Sequence, residues 1–229
     1  MEYFCILFFV VEIYLGYRYM KYGELFNKMA ASVPFVVTGI YLIVTGSPVN
    51  MTYACLLVGG LVASFIGDWV LKYDLFGMKG LPGIAAFALA HILYISAFAA
   101  RIPLSVKDLW LVIPWTAMVI LEIIAKNKIN INLGATAPAV LIYAMIIDAM
   151  VVLGIRAAIL TVNGGISVIR SIILILGVVM FIVSDAGVCL MMFDGRKEIT
   201  VKGRVIKLDP VNIFNYCGGQ MLIAASVLL

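Results

Sequence analysis

The chain has 229 residues, of which 65% are hydrophobic and only 12% charged, with a net charge of +4. A soluble domain carries about 25% charged residues, so this composition excludes a soluble fold. The excess positive charge lies in the loops, where it bears on membrane orientation and lipid headgroups rather than on nucleic acid.

The predicted class is all-α: a polytopic membrane protein occupying residues 1–229 as a single integral membrane domain. A spanning helix needs about 20 mostly apolar residues. Eight runs meet that need: Tyr3 to Tyr19, Met29 to Gly46, Met51 to Tyr73, Gly80 to Ala100, Val106 to Ala125, Leu133 to Leu160, Gly165 to Phe193 and Val211 to Leu229. The first follows Met1-Glu2 without a basic segment, so it reads as a mature helix and not as a cleaved signal. Turn and charge signals mark the connections. Only the last, DGRKEITVKGRVIKLDP, is long, and the partial alternation of Glu198 to Arg204 and Val205 to Leu208 suggests a small hairpin or interfacial segment. Cys5, Cys55, Cys189 and Cys217 lie singly in apolar runs, which indicates neither a disulfide framework nor a thiolate metal site.

Basic residues are shared unevenly among the connections. The odd-numbered ones, with their helix ends, hold 12 of the 16 lysines and arginines, and the even-numbered ones hold Arg101, Lys107, Arg156 and Arg170. The positive-inside rule therefore places the odd loops in the cytoplasm and both termini outside, in the cell membrane if the source is bacterial.

Two of the runs carry one device. LLVGGLVASFIGD ends at Asp68 and LILGVVMFIVSD at Asp185; each has a glycine eight residues before the aspartate (Gly60, Gly177) and a small residue just before it. An aspartate within a span costs roughly 2.5–3.5 kcal/mol on insertion scales, so two of them point to a functional site in the inner half of the membrane. Their neighbours match as well. Ala31-Ser32-Val33-Pro34 recurs as Ala135-Thr136-Ala137-Pro138, and Phe87 with His91 as Tyr216 with Gln220, at ordered offsets of 104, 117 and 129. Four helices per unit make this a parallel repeat, residues 1–100 and 106–229, with its axis along the membrane normal and the site at the interface of the halves.

Gly67-Asp68 with Leu71, Phe87-x-x-x-His91-x-x-Tyr94, Phe181-x-x-Ser184-Asp185 and Tyr216-x-x-x-Gln220-x-Leu222-Ile223-x-x-Ser226 together resemble the YhhN-like membrane proteins, the lysoplasmalogenase family. The four motifs come in the family's order over nearly the whole chain. The resemblance implies about eight spans and hydrolysis of the vinyl ether of a lysoplasmalogen, a lysophospholipid, to a fatty aldehyde and a glycerophospho-base. It also implies Asp68 and Asp185 as catalytic acids, with His91, Tyr94, Tyr216 and Gln220 lining their cavity. The family's basic-proline start of the second helix is loosened here to Lys28-Met29-Ala30-Ala31-Ser32-Val33-Pro34; Lys28 is its basic member and a substrate-binding candidate.

The chemistry is compatible with two carboxylates. Protonating the outer vinyl carbon gives an oxocarbenium ion that water attacks, and one acid with one nearby anion meets both needs, as in glycosidases. No cofactor or metal is called for, and a single histidine cannot supply a three-histidine zinc site. Blander readings stand beside these. Asp68 is spaced for a helix-surface ion pair with Lys72, His91 for a core hydrogen bond, and Tyr94, Tyr216 and Gln220 for contacts between helices. Glu122 beside Lys126 reads as a snorkelling pair, while Glu12 and Asp148 match no motif. The alternative function is a proton-coupled transporter built on the same repeat. Transporters of that kind show helices broken deep in the span, and Pro114, read as mid-span, is the one feature of this sort.

Overall fold

The computed structural model describes residues 2–73, 80–131, 133–163, 167–201 and 203–229. Eight α-helices follow one another: α1 (Glu2–Tyr22), α2 (Leu25–Gly46), α3 (Met51–Tyr73), α4 (Leu81–Arg101), α5 (Val112–Lys128), α6 (Ala137–Asn163), α7 (Val168–Phe193) and α8 (Leu208–Ala225). Between α7 and α8 lies an antiparallel hairpin of β1 (Glu198–Val201) and β2 (Arg204–Lys207), pairing Ile199 with Ile206. Among the described residues seven helical stretches are long and apolar enough to cross a membrane, those of α2, α3, α4, α6, α7 and α8 and the stretch Val106–Lys128 that contains α5. The expected eighth, α1, carries Glu12 and Arg18 along its length and Lys21 in its last turn and packs on α2 and α8. Outward faces are apolar throughout: Val44, Ile113, Ile142 and Ile169 are each at least 60% exposed. On a soluble domain such a surface would be a large sticky patch; here it is a surface suited to lipid. The protein is a multi-pass membrane protein.

Helix ends depart from the expected boundaries for local reasons. A 3-10 turn over Val106–Leu111, closed by a reciprocal capping box between Ser105 and Asp108, takes up the start of the fifth run. Pro114 consequently falls in the first turn of α5, where a missing N–H is harmless, although it lies inside the apolar stretch Val106–Lys128. Pro34 lies deeper than expected, because α2 already starts at Leu25. Pro138 is the second residue of α6, so this pair of matched prolines sits differently in the two helices.

Helix pairing follows small residues. α3 packs most extensively on α4, and α7 on α8. At Gly60 a Cβ would come 2.3 Å from the Tyr94 ring; at Gly177 it would come 3.0 Å from the Ile223 nitrogen and 3.1 Å from the Gly219 carbonyl. Both glycines therefore sit at the close approach of a helix pair, Gly60 against a ring and Gly177 against backbone, as small residues do between membrane helices. Gly60→Ala is expected to destabilise the protein by about 1–3 kcal/mol, the usual penalty of overpacking, and thermal unfolding in detergent would measure it.

The end of the bundle that holds the even connections is tied shut. Arg156 forks onto Asp108 at 2.7 and 2.8 Å and also donates to the Ile102 and Pro103 carbonyls. Arg101 and Arg170 donate to the Leu229 and Leu228 carbonyls, and Asn50 joins the start of α3 to the Ala100 carbonyl. Three of the four basic residues counted on the even side are thus engaged within the protein.

Candidate active site

A cavity of about 670 Å³ lies toward the opposite end, walled by α2, α3, α4, α5, α6, α7 and α8. Its rim includes Ile129, Ile131 and Leu133 of the α5–α6 connection, which Arg196 holds by donating to the Ile129 carbonyl at 2.6 Å. Most of the wall is apolar. Asp68, Asp185, Lys28, Tyr143 and Tyr216 supply its polar end, and Glu122 and Lys126 add two charges on α5.

Asp68 is 1% exposed and fully occupied. Its Oδ1 pairs with the Lys28 ammonium at 2.9 Å, and its Oδ2 accepts from the Tyr216 hydroxyl at 2.6 Å and from the Ser32 hydroxyl. The same ammonium lies 4.4 Å from the Tyr216 ring centre, a cation–π contact. Asp68 thus has an ion-pair partner across helices in Lys28; the side chain of Lys72, the partner of the blander reading, lies outside the described residues. Lys28 lines the cavity, but its ammonium is turned onto Asp68 rather than left for a headgroup.

Asp185 is surrounded differently. Its side chain is 12% exposed, and among the described residues only its Oδ2 is bonded: it accepts from the Tyr143 hydroxyl and lies 3.3 Å from His91 Nε2, which is itself 3.0 Å from the Tyr143 hydroxyl. His91 is fully buried and its Nδ1 has no partner among the described residues. A hydrogen on Nε2 leaves that Nδ1 as a lone pair, which is cheaper to bury than an unpaired N–H. Next to Asp185, Asn212 donates to the carbonyl and hydroxyl of Ser184 at 2.8 and 2.9 Å, fixing α7 against α8.

The two aspartates are thus held by the same arrangement of helices. Asp68 of α3 takes its partners from α2 and α8; Asp185 of α7 takes its partners from α6 and α4. Phe181 stands between the groups, with ring centres 4.8 Å from His91 and 5.8 Å from Tyr216.

Residues 25–227 match the YhhN family. The chain belongs to that family. No curated protein and no solved structure matches it.

Within this family member the predicted site residues divide in two. Lys28, Asp68, Asp185 and Tyr216 line the cavity, and His91 stands behind its wall as the partner of Asp185. Tyr94 and Gln220 do not line it: the Tyr94 hydroxyl donates to Gln220 Oε1 at 2.8 Å, both are fully buried, and the pair bridges α4 and α8. Tyr143 escaped the sequence reading. The available signal was its place as the one tyrosine of α6, on the stripe with Val140 and Ile147 that faces the cavity. Glu122 also differs from expectation, since it faces the cavity and forms no ion pair with Lys126 among the described residues. Glu12 and Asp148 are buried with both carboxylate oxygens unpartnered among the described residues.

Proposed function

We propose that the protein hydrolyses the vinyl ether of a lysoplasmalogen, releasing a fatty aldehyde and a glycerophospho-base, with Asp185 and Asp68 in different roles. The observation that carries this reading is the unequal setting of two aspartates on one cavity wall. Asp185 keeps one oxygen free of protein partners and acts as the general acid: it protonates the outer vinyl carbon and becomes the anion facing the resulting oxocarbenium ion. Asp68, paired with the Lys28 ammonium and fixed by Ser32 and Tyr216, takes a proton from the water that attacks the cation. The hemiacetal then collapses: its hydroxyl proton goes to Asp185, which recharges the acid, and Asp68 hands the proton taken from water to the departing glycerol oxygen, which leaves as the alcohol. Tyr143 and His91 hold the Asp185 carboxyl in place, while Tyr94 and Gln220 support the helix pair behind it.

The architecture that goes with this function is eight spans in two parallel four-helix halves, with odd connections cytoplasmic. Support for the repeat comes from the swapped helix partners of the two aspartates and from the matched glycine contacts at Gly60 and Gly177. α5 packs mainly on α6, so a single-chain lipid can enter sideways between α5 and α7. Purified protein incubated with a lysoplasmalogen is expected to release aldehyde, and with the saturated ether analogue to release none. Aldehyde from neither, together with proton-coupled uptake of a solute into proteoliposomes, would replace the hydrolase by the transporter.

A further inference from the structure

The proposed reaction leaves an aldehyde in the cavity, and among the described residues that line it two carry an amine, Lys28 and Lys126. They are not equally available. The Lys28 ammonium is paired with Asp68 at 2.9 Å and lies over the Tyr19 and Tyr216 rings, so its nitrogen is committed to the protein. Lys126, on α5, is only partly exposed and makes no hydrogen bond or ion pair among the described residues. A lysine amine facing an apolar pocket is the group with which proteins take up carbonyl compounds as imines.

A group to carry the proton stands one turn away. Glu122 precedes Lys126 by four residues, so the two share a face of α5 about 6 Å apart along the axis. Glu122 lines the same cavity, and it too makes no hydrogen bond or ion pair among the described residues. The pair also lies within a short path of Asp185. Cys189 follows Asp185 by four residues on α7, lines the cavity and is close enough to feel the charges of both Glu122 and Asp185. An aldehyde formed at Asp185 and leaving sideways between α5 and α7 therefore passes the inner face of α5, where Glu122 and Lys126 stand.

We propose that Lys126 is a carbonyl-capture site that holds a long-chain aldehyde as a reversible imine, with Glu122 moving the proton. The site rests on the aldehyde-releasing reading only for the source of its ligand. Lys126 passes a proton to Glu122, and the freed amine adds to the carbonyl carbon; a second proton moves from the nitrogen to the oxygen and gives a carbinolamine. Glu122 returns its proton to that hydroxyl, which leaves as water, and the nitrogen lone pair closes the C=N bond of a protonated imine facing the Glu122 carboxylate. Nothing is oxidised or reduced, and water reverses the sequence. The alkyl chain stays in the apolar cavity, so a captured aldehyde occupies the room of the next substrate.

Direct trapping separates capture from cleavage. The intact protein in nanodiscs is incubated with hexadecanal and cyanoborohydride, which reduces an imine to a stable secondary amine, and alkylated lysines are located by peptide mass spectrometry. Lys126 is expected to be labelled about tenfold or more over Lys128, its exposed neighbour, a small part of what holding two reactants together contributes. Filling the cavity with a saturated, uncleavable alkyl lysophospholipid is expected to remove that excess, and acetaldehyde, too short to be held, is expected to show none. Glu122→Gln is expected to slow the labelling of Lys126 by about 10²-fold, at the low end for a positioned acid or base. Equal labelling of Lys126 and Lys128, or labelling of Lys126 that the lysophospholipid leaves unchanged, would overturn the site, and an unchanged rate in Glu122→Gln would overturn the part given to Glu122. Because the aldehyde is supplied, these outcomes do not depend on cleavage. An excess at Lys126 upholds capture even if no lysoplasmalogen is ever hydrolysed, and hydrolysis without that excess leaves the hydrolase standing and the capture site overturned.

Discussion

Asp185→Asn is expected to lower vinyl-ether cleavage by about 10²–10⁴-fold, the usual contribution of a general acid, while the protein still inserts and folds. Asparagine keeps the size of the side chain and can still accept from Tyr143 through its amide oxygen, so the local packing around Phe181 and His91 is retained; what it lacks is a proton to give. Asp68→Asn is expected to cause a loss of the same order by removing the base. Groups that act as a unit lose activity together, so the double variant should be little worse than either single one. Tyr143→Phe removes the hydroxyl that meets Asp185 without touching the acid itself, and a partial loss is expected. Steady-state rates of aldehyde release, with folding followed by size-exclusion chromatography, give the comparison. Near wild-type turnover in Asp185→Asn would sink the two-carboxylate mechanism and make Asp148, buried and unpartnered in α6, the next acid to test.

What the sequence makes legible here follows from how strong each physical signal is. Eight helices can be found because an apolar run of spanning length has few other fates, and the hairpin of β1 and β2 because charge and alternation return between α7 and α8. Helix ends are weaker signals. Pro114 reads as the interruption of one continuous helix, whereas a 3-10 turn capped by Ser105 and Asp108 fills the start of that stretch and the α-helix begins only at Val112. Asp68 and Asp185 stand out because a carboxyl in a span is expensive. Their partners do not. A lysine four residues away is the obvious neighbour of Asp68, whereas Lys28 reaches it from 40 positions earlier in the chain, which only the packing of α2 on α3 arranges. Tyr143 is hidden for a related reason, since a tyrosine in an apolar helix has an ordinary explanation and nothing in its spacing says that it ends at a carboxylate. Tyr94 and Gln220 illustrate the opposite error: polar residues in a matched motif suggest a cavity, but the Tyr94 hydroxyl donates to Gln220 Oε1 and the pair strengthens a helix contact instead.

Lys28→Met is expected to be among the most destabilising single changes in the protein, at about 3–5 kcal/mol, because it leaves the buried Asp68 charge without its partner. Methionine can lie along the same apolar path as the lysine stem and rest on the Tyr216 ring, so little packing is lost. The penalty comes from the uncompensated carboxylate, which retains only the hydroxyls of Ser32 and Tyr216. A second substitution tests that cause. In Lys28→Met with Asp68→Asn no buried charge remains, and most of the lost stability is expected to return, since replacing both members of a buried pair is far milder than breaking it. Activity is expected to stay low in both variants, for lack of a correctly held base in the first and of any base in the second. Unfolding midpoints in detergent and aldehyde release should therefore separate, stability recovering while turnover does not. If the double variant remains as unstable as Lys28→Met, the lysine acts through its contacts with Tyr216 and Tyr19 and not through its pairing with Asp68, and the role given to that ion pair fails with it.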